Sequence, residues 1–173
     1  LSAENIISWK VIYVASRQEK KISVLLEKLN IENYLPLVKK LRLWSDRKKW
    51  VEMPLLNGYI FVKPSADSRD KILEIPGVVR FLRHNGNDAI LRESEIDTIK
   101  RIIQTGYDTE IMDVQFDKGQ TVMITSGPLK GIEAEVLRID KNNNAVLIGF
   151  ETISKTLKVT LPAGLLQKKK IVS

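Results

Sequence analysis

The sequence predicts an α+β chain in which an antiparallel sheet with flanking helices is followed by a small β-barrel. Three observations carry that prediction. Up to residue 104 the apolar pattern alternates between strand and helix periods, in the order β-α-β-β-β-α-β-α. From residue 118 onward it keeps the strand period alone. Between the two, residues 105–117 hold Asp108, Glu110, Asp113 and Asp117 with no cation, while the blocks on either side are net basic. The reading is two modules, residues 8–104 and 118–168, joined by a linker at 105–117.

The first strand runs from Trp9 to Val14, with Trp9, Val11 and Tyr13 on one face and Ile12 and Val14 on the other. Apolar residues on both faces place it centrally in the sheet. Ile22, Leu25, Leu26 and Leu29 recur at helical spacing, so a helix follows from Gln18 to about Asn30, with Ser16 expected as its N-cap. Tyr34-Leu35-Pro36 reads as an edge strand, because proline donates no ladder hydrogen bond. Residues 38–51 alternate cationic and apolar positions around Ser45-Asp46 and read as a hairpin.

Gly58 to Val62 is the next strand, and Ser68 to Ile75 a short helix stopped by Pro76-Gly77. Val78 to Leu82 forms another strand before an Asn85-Gly86 turn. Ser94 is the expected cap of a third helix lined by Ile96, Ile99 and Ile103. Beyond the linker, Val122/Ile124, Ala134/Val136, Val146/Ile148 and Leu157/Val159/Leu161 alternate with polar residues. Turns are expected at Gly127-Pro128, Asn142 to Asn144, and Pro162-Ala163-Gly164. Residues 133–139 have helical propensity of their own, but four or five short strands in so small a space favour closure into a barrel, which removes the exposed edge.

Composition narrows the function. Net charge is +7 with an isoelectric point near 9.5, which favours a polyanionic partner, nucleic acid ahead of membrane. There is no cysteine and one histidine, His84, so thiolate and multi-histidine metal sites are excluded. No apolar run approaches the roughly 20 residues that cross a bilayer, and no leader pattern is visible. No phosphate-cradling or dinucleotide glycine motif is present, and Asp67, Asp70 and Glu74 read as helix-surface charges. The chain is expected to be no enzyme and to need no cofactor.

Two segments carry the sharper reading. In Asn57-Gly58-Tyr59-Ile60-Phe61-Val62 the aromatics Tyr59 and Phe61 share one strand face, with Trp9 and Tyr13 available beside them. The plain alternative is an ordinary core face. In Gly127-Pro128-Leu129-Lys130-Gly131 a strand ends in a turn whose glycines supply special backbone geometry. These segments, with Trp9 before them and Pro76-Gly77-Val78-Val79-Arg80-Phe81 between, resemble the NusG family of transcription elongation factors. The turn, Gly127, Pro128, Lys130 and Gly131, matches the KOW motif. Asn57, where housekeeping members usually carry proline, makes the chain similar to the specialised RfaH-like or UpxY-like antiterminators.

The resemblance implies an NGN-type first domain and an SH3-like KOW barrel. It implies that Tyr13, Leu56, Tyr59 and Phe61 line a pocket for the clamp helices of the largest RNA polymerase subunits. It also implies that the basic hairpin, with Lys39, Lys40, Arg42, Arg47, Lys48 and Lys49, faces upstream or non-template DNA, with Arg17, Gln18 and Lys21 beside it. Trp44 and Trp50 among those charges strengthen the nucleic-acid reading over a merely solvated strand pair, because indoles stack on bases. The expected protein is a monomeric bacterial cytoplasmic factor that suppresses pausing or termination, with Rho or a ribosomal protein as partners of the barrel. The rival is a ribosome-associated or RNA-binding protein acting through the KOW barrel.

Overall fold

The computed structural model describes residues 7–113, 121–139, 143–162 and 164–168. It divides the chain into two compact units, Leu1–Ile96 and Asp97–Ser173. The start of the expected barrel at residue 118, Asp117, Asn142 and Ala163 lie outside the described residues.

In chain order the elements are β1 Trp9–Val14, α1 Glu19–Lys28, β2 Glu32–Tyr34, β3 Leu37–Leu43, β4 Lys48–Pro54 and β5 Tyr59–Lys63. A 3-10 turn at Ala66–Ser68 leads into α2 Arg69–Leu73. Then come β6 Val78–Phe81, β7 Arg83–His84, β8 Asn87–Asp88, β9 Ile90–Leu91 and α3 Glu93–Thr105. The second unit adds β10 Thr109–Met112, β11 Thr121–Ile124, β12 Glu133–Ile139, β13 Asn143–Phe150, β14 Lys155–Pro162 and β15 Leu166–Lys168.

The first unit is built on an antiparallel sheet in the order β2-β5-β1-β6, with β9 pairing beside β1 as well. Central β1 and its neighbour β5 turn Ile12, Val14, Ile60 and Val62 to one face. There they form a core with Ile22 and Leu26 of α1 and Ile72 of α2. As the proline predicts, β2 lies at the edge, pairing with β5 alone among the described residues, and ends just before Leu35-Pro36. Asp88 ties α2 to the sheet by accepting hydrogen bonds from Lys10 at 3.0 Å and Arg69 at 3.1 Å, while Arg69 lies 4.7 Å over the Phe81 ring.

Both expected caps are corrected. Arg17 takes a left-handed φ of 65° and Gln18 donates to Ala15 O, so the chain turns between Ser16 and α1, and Gln18 occupies the cap position without a side-chain bond. At α3 the helix already includes Glu93 and Ser94, and Glu95 Oε2 accepts the Arg92 N–H at 2.8 Å, half of a capping box. The buried isoleucines of α3 are Ile96, Ile99 and Ile102, with Ile103 only half-buried.

The second unit holds a six-stranded antiparallel sheet in the order β10-β14-β13-β12-β11-β15. Residues 133–139 are strand, pairing with β11 and β13 on either side, so tertiary pairing overrides their local helical propensity. Leu157, Val159 and Leu161 of β14 are buried, as their alternation requires. Thr109–Met112, within the expected linker, pairs with β14 through Thr109↔Val159 to Met112↔Thr156. Among the described residues no ladder joins β10 to β15, so the sheet is an open path there.

Candidate functional site

Two surfaces of the first unit concentrate the residues that could bind a partner. The first is an aromatic corner at one end of the sheet face opposite the α1–α2 core. The register places Tyr59, Tyr13 and Arg80 side by side across β5, β1 and β6. Tyr13 and Tyr59 meet edge to face, centroids 5.6 Å apart at 74°, and the Arg80 guanidinium lies 5.8 Å from the Tyr13 ring centre. Such aromatic pairs and cation–π contacts hold the rings without covering them. Tyr13 remains 38% exposed and Tyr59 half-exposed.

The chain enters this corner through Gly58. Its φ is +79°, and a β-carbon there would stand 2.9 Å from Tyr13 Cε2. Only glycine fits both constraints. The Gly58 N–H donates to the buried Glu19 Oε1 at 2.8 Å and its carbonyl accepts the Val14 N–H at 2.8 Å. The first residue of α1 thus fixes the turn that presents Tyr59. Phe61, one register step along the same face, is fully buried and stacks on Tyr34 at 6.3 Å. Burial pushes the Tyr34 phenol up to about 12. Leu56 is buried at the base of the turn. Of the four expected pocket residues, Tyr13 and Tyr59 are accessible, while Leu56 and Phe61 are buried and line no open surface.

The second surface is the ribbon β3–β4, a two-stranded sheet with no ladder to the larger one among the described residues. Its turn closes through the Trp44 N–H on Arg47 O at 2.8 Å. Its root is held by Leu55 N–H on Pro36 O and by Lys20 Nζ on Glu52 O, both 2.8 Å. Register pairs share a face of an antiparallel ribbon, and successive residues alternate between faces. Leu41↔Trp50, Leu43↔Lys48 and Lys39↔Glu52 therefore occupy one face; Lys40↔Val51, Arg42↔Lys49 and Val38↔Met53 occupy the other. The expected cations are all exposed, but they divide between the faces, with Arg47 in the turn. Of the α1 candidates, Arg17 and Lys21 are exposed and Gln18 is half-buried, and it is Lys20 that reaches the ribbon.

In the second unit Gly127 and Gly131 have φ of 76° and 88°, Leu129 is buried between them, and Lys130 is exposed. Arg101 of α3 donates to Pro128 O at 2.9 Å and Lys130 O at 2.8 Å, satisfying two turn carbonyls. Glu19, Lys20, Arg80 and Arg101 escape the sequence reading, since each acts across a long sequence separation. A lone Glu at a helix start is the one local signal among them.

Comparison with known proteins agrees with this architecture. A family model described as transcription termination factor nusG matches residues 7–100, and a KOW-motif model matches residues 118–148. The transcription termination/antitermination protein NusG of Rickettsia felis is 25% identical over 171 residues, covering 92% of this chain and 89% of that protein. NusG of Bacillus subtilis is 24% identical, with 89% and 94% covered. The transcription elongation factor Spt5 of Methanocaldococcus jannaschii is 31% identical over 109 residues, covering 62% of this chain and 66% of that protein. A solved structure titled "Domain interaction in Thermotoga maritima NusG" superposes with a TM-score of 0.57 at 19% identity, over 94% of this chain and 97% of that one, a likeness of fold.

Proposed function

The chain belongs to the NusG family of transcription termination/antitermination factors, and from that premise we propose that it binds RNA polymerase during elongation and suppresses pausing or termination. The observation that carries this reading is the Tyr13–Tyr59 pair, accessible at the end of the sheet and held in place by a turn that only glycine can make at Gly58. An apolar, aromatic patch with a polar rim suits the side of a partner helix, here the clamp helices of the largest polymerase subunit. Tyr13 and Tyr59 make the contact; Leu56 and Phe61, both buried, belong to the packing of the turn and strand that carry Tyr59. Bridging the clamp shifts the polymerase population away from its open, paused form, so the protein acts by binding rather than by chemistry.

The cations Lys39, Lys40, Arg42, Arg47, Lys48 and Lys49, with Arg17, Gln18 and Lys21 in second place, hold upstream or non-template DNA. The KOW turn belongs to a barrel-like module that takes a further partner, Rho or a ribosomal protein. The factor works as a monomer in the bacterial cytoplasm; among the described residues no helix is long and apolar enough to cross a membrane. The KOW match also supports a second reading, an RNA-binding protein acting through its second unit, which predicts RNA binding by that unit and no polymerase association.

Polymerase pull-down with Tyr59→Ala full-length protein decides between them. Exposed aromatic anchors at an interface cost about 2 kcal/mol or more on truncation, so capture should fall more than tenfold with the fold intact by circular dichroism. Capture equal to that of the parent removes the aromatic corner as the polymerase contact. Phe61→Ala is the poorer test, because Phe61 is buried and its loss acts on packing.

A further inference from the structure

We propose that Arg80 is a specificity-determining residue of the aromatic corner, pairing with a carboxylate on the partner helix one turn beyond the apolar side chains that rest on Tyr13 and Tyr59. The inference rests on the polymerase reading of that corner and adds the charge its helix must carry.

Arg80 stands in the same row as the two rings. The register sets it opposite Tyr13 on β6, as it sets Tyr59 opposite Tyr13 on β5. Its side chain is exposed, and among the described residues no carboxylate pairs with it. Arg69, which also lies over a ring, is by contrast paired with Asp88 at 3.1 Å. The contact with Tyr13 restrains the Arg80 guanidinium, so its planar fork of donors has less freedom to lose when a partner arrives. The chain that borders the corner, Ala15 to Arg17 after β1 and Asn57 before β5, holds no acid. The nearby Glu19 carboxylate is buried and taken by the Gly58 N–H. The corner therefore offers an apolar patch with uncompensated positive charge along one side.

Spacing selects the geometry of the partner. Neighbouring strands lie about 4.8 Å apart, so Tyr59, Tyr13 and Arg80 recur at that interval. A helix laid along this row presents a residue to it once per turn, about every 5.4 Å. Two successive turns meet the rings, and the next meets Arg80. A carboxylate there accepts two parallel hydrogen bonds from the guanidinium. A cationic or apolar residue at that turn meets repulsion or strips water from an unpaired charge, and such a helix is rejected.

The test measures capture of RNA polymerase by the full chain as salt is varied. Arg80→Glu should weaken capture about tenfold or more, Arg80→Gln less and Arg80→Lys least, with the fold intact by circular dichroism. Rising salt should weaken the parent more steeply than Arg80→Gln, because salt screens the contact that the variant lacks. Replacing the acidic residues of the clamp helices one at a time with Lys should give one polymerase that Arg80→Glu captures better than the parent does. Equal losses in the Gln and Glu variants, with no charge swap that restores capture, make Arg80 a support for the Tyr13 ring alone and overturn the contact. An Arg80→Glu protein that captures polymerase like the parent, or that loses only DNA binding, overturns it as well. Tyr59→Ala separates this failure from that of the reading beneath it. If Tyr59→Ala loses capture while Arg80→Glu keeps it, only the carboxylate contact fails; if both keep it, the corner is not the polymerase contact.

Discussion

At the scale of single residues, the aromatic corner depends on a small set of mutual constraints around Gly58. The residue sits at φ +79° with the Tyr13 ring against the space a side chain would fill, and its N–H is taken by the buried Glu19 carboxylate. An alanine there meets two penalties at once, a left-handed backbone and a displaced ring. Left-handed strain alone costs about 1–3 kcal/mol, so Gly58→Ala should lower unfolding stability by at least that amount. It should also weaken polymerase capture beyond what its stability loss accounts for, because Tyr13 must move. Urea denaturation of the two proteins measures the first effect. A variant as stable as the parent would mean that the ring and turn are free to relax, and the claim that they are held would fail. The glycine itself is visible in the sequence as part of Asn57-Gly58, but its reason is not, since Glu19 lies 39 positions away.

At the scale of elements, the sequence reading is strongest where one periodicity meets one face. β1, β5, α1 and β14 occur where their apolar spacing puts them, and Pro36 marks the edge strand correctly. It is weakest where the outcome depends on register. The basic and apolar residues of 38–51 look intermixed along the chain, and only the pairing Leu41↔Trp50 reveals that they sort onto opposite faces. Caps fail for a related reason: Ser16 and Ser94 have the right side chains, but Arg17 turns the backbone away from one and Glu95 serves the other helix from within.

The tie between α2 and the sheet is also invisible locally, because Lys10, Arg69 and Asp88 are far apart in sequence. Burial alone would raise the Asp88 carboxyl, but the hydrogen bonds from Arg69 and Lys10 together outweigh it and hold the group below its ordinary 3.8. The unfolded chain therefore takes up this proton first as pH falls. The stabilisation is present above pH 3.8 and is lost as pH drops through the folded value. Asp88→Asn should cost about 1–3 kcal/mol at neutral pH and flatten the acid limb of the stability curve. An acid limb as steep as the parent's would show that Asp88 contributes nothing to it.

At the scale of the whole molecule, the question is where the second unit begins. Charge and composition suggest a barrel from residue 118, preceded by a linker. Yet β10 fills an edge of the sheet, giving β14 its second neighbour along Thr109 to Met112, with Thr109 buried. Ion pairs reinforce that ladder: Lys158 reaches Glu110 at 3.2 Å, and Lys155 reaches Asp113. Arg101 adds hydrogen bonds to the KOW turn from further upstream, and Ile99 and Ile102 are buried. The acids that mark residues 105–117 as a connector in the sequence are thus partly spent on the lysines of β14. A fragment starting at residue 114 would leave β14 as a bare edge strand, with Leu157 and Val159 beside unpaired backbone groups, a template for association with another chain. We therefore expect residues 97–173 to fold into a stable, monomeric unit, and residues 114–173 to melt at lower temperature or to self-associate. Thermal unfolding and sedimentation of the two fragments decide the matter. Equal melting temperatures and a monomeric shorter fragment would return residues 97–113 to the role of a plain connector, and β10 to that of a dispensable strand.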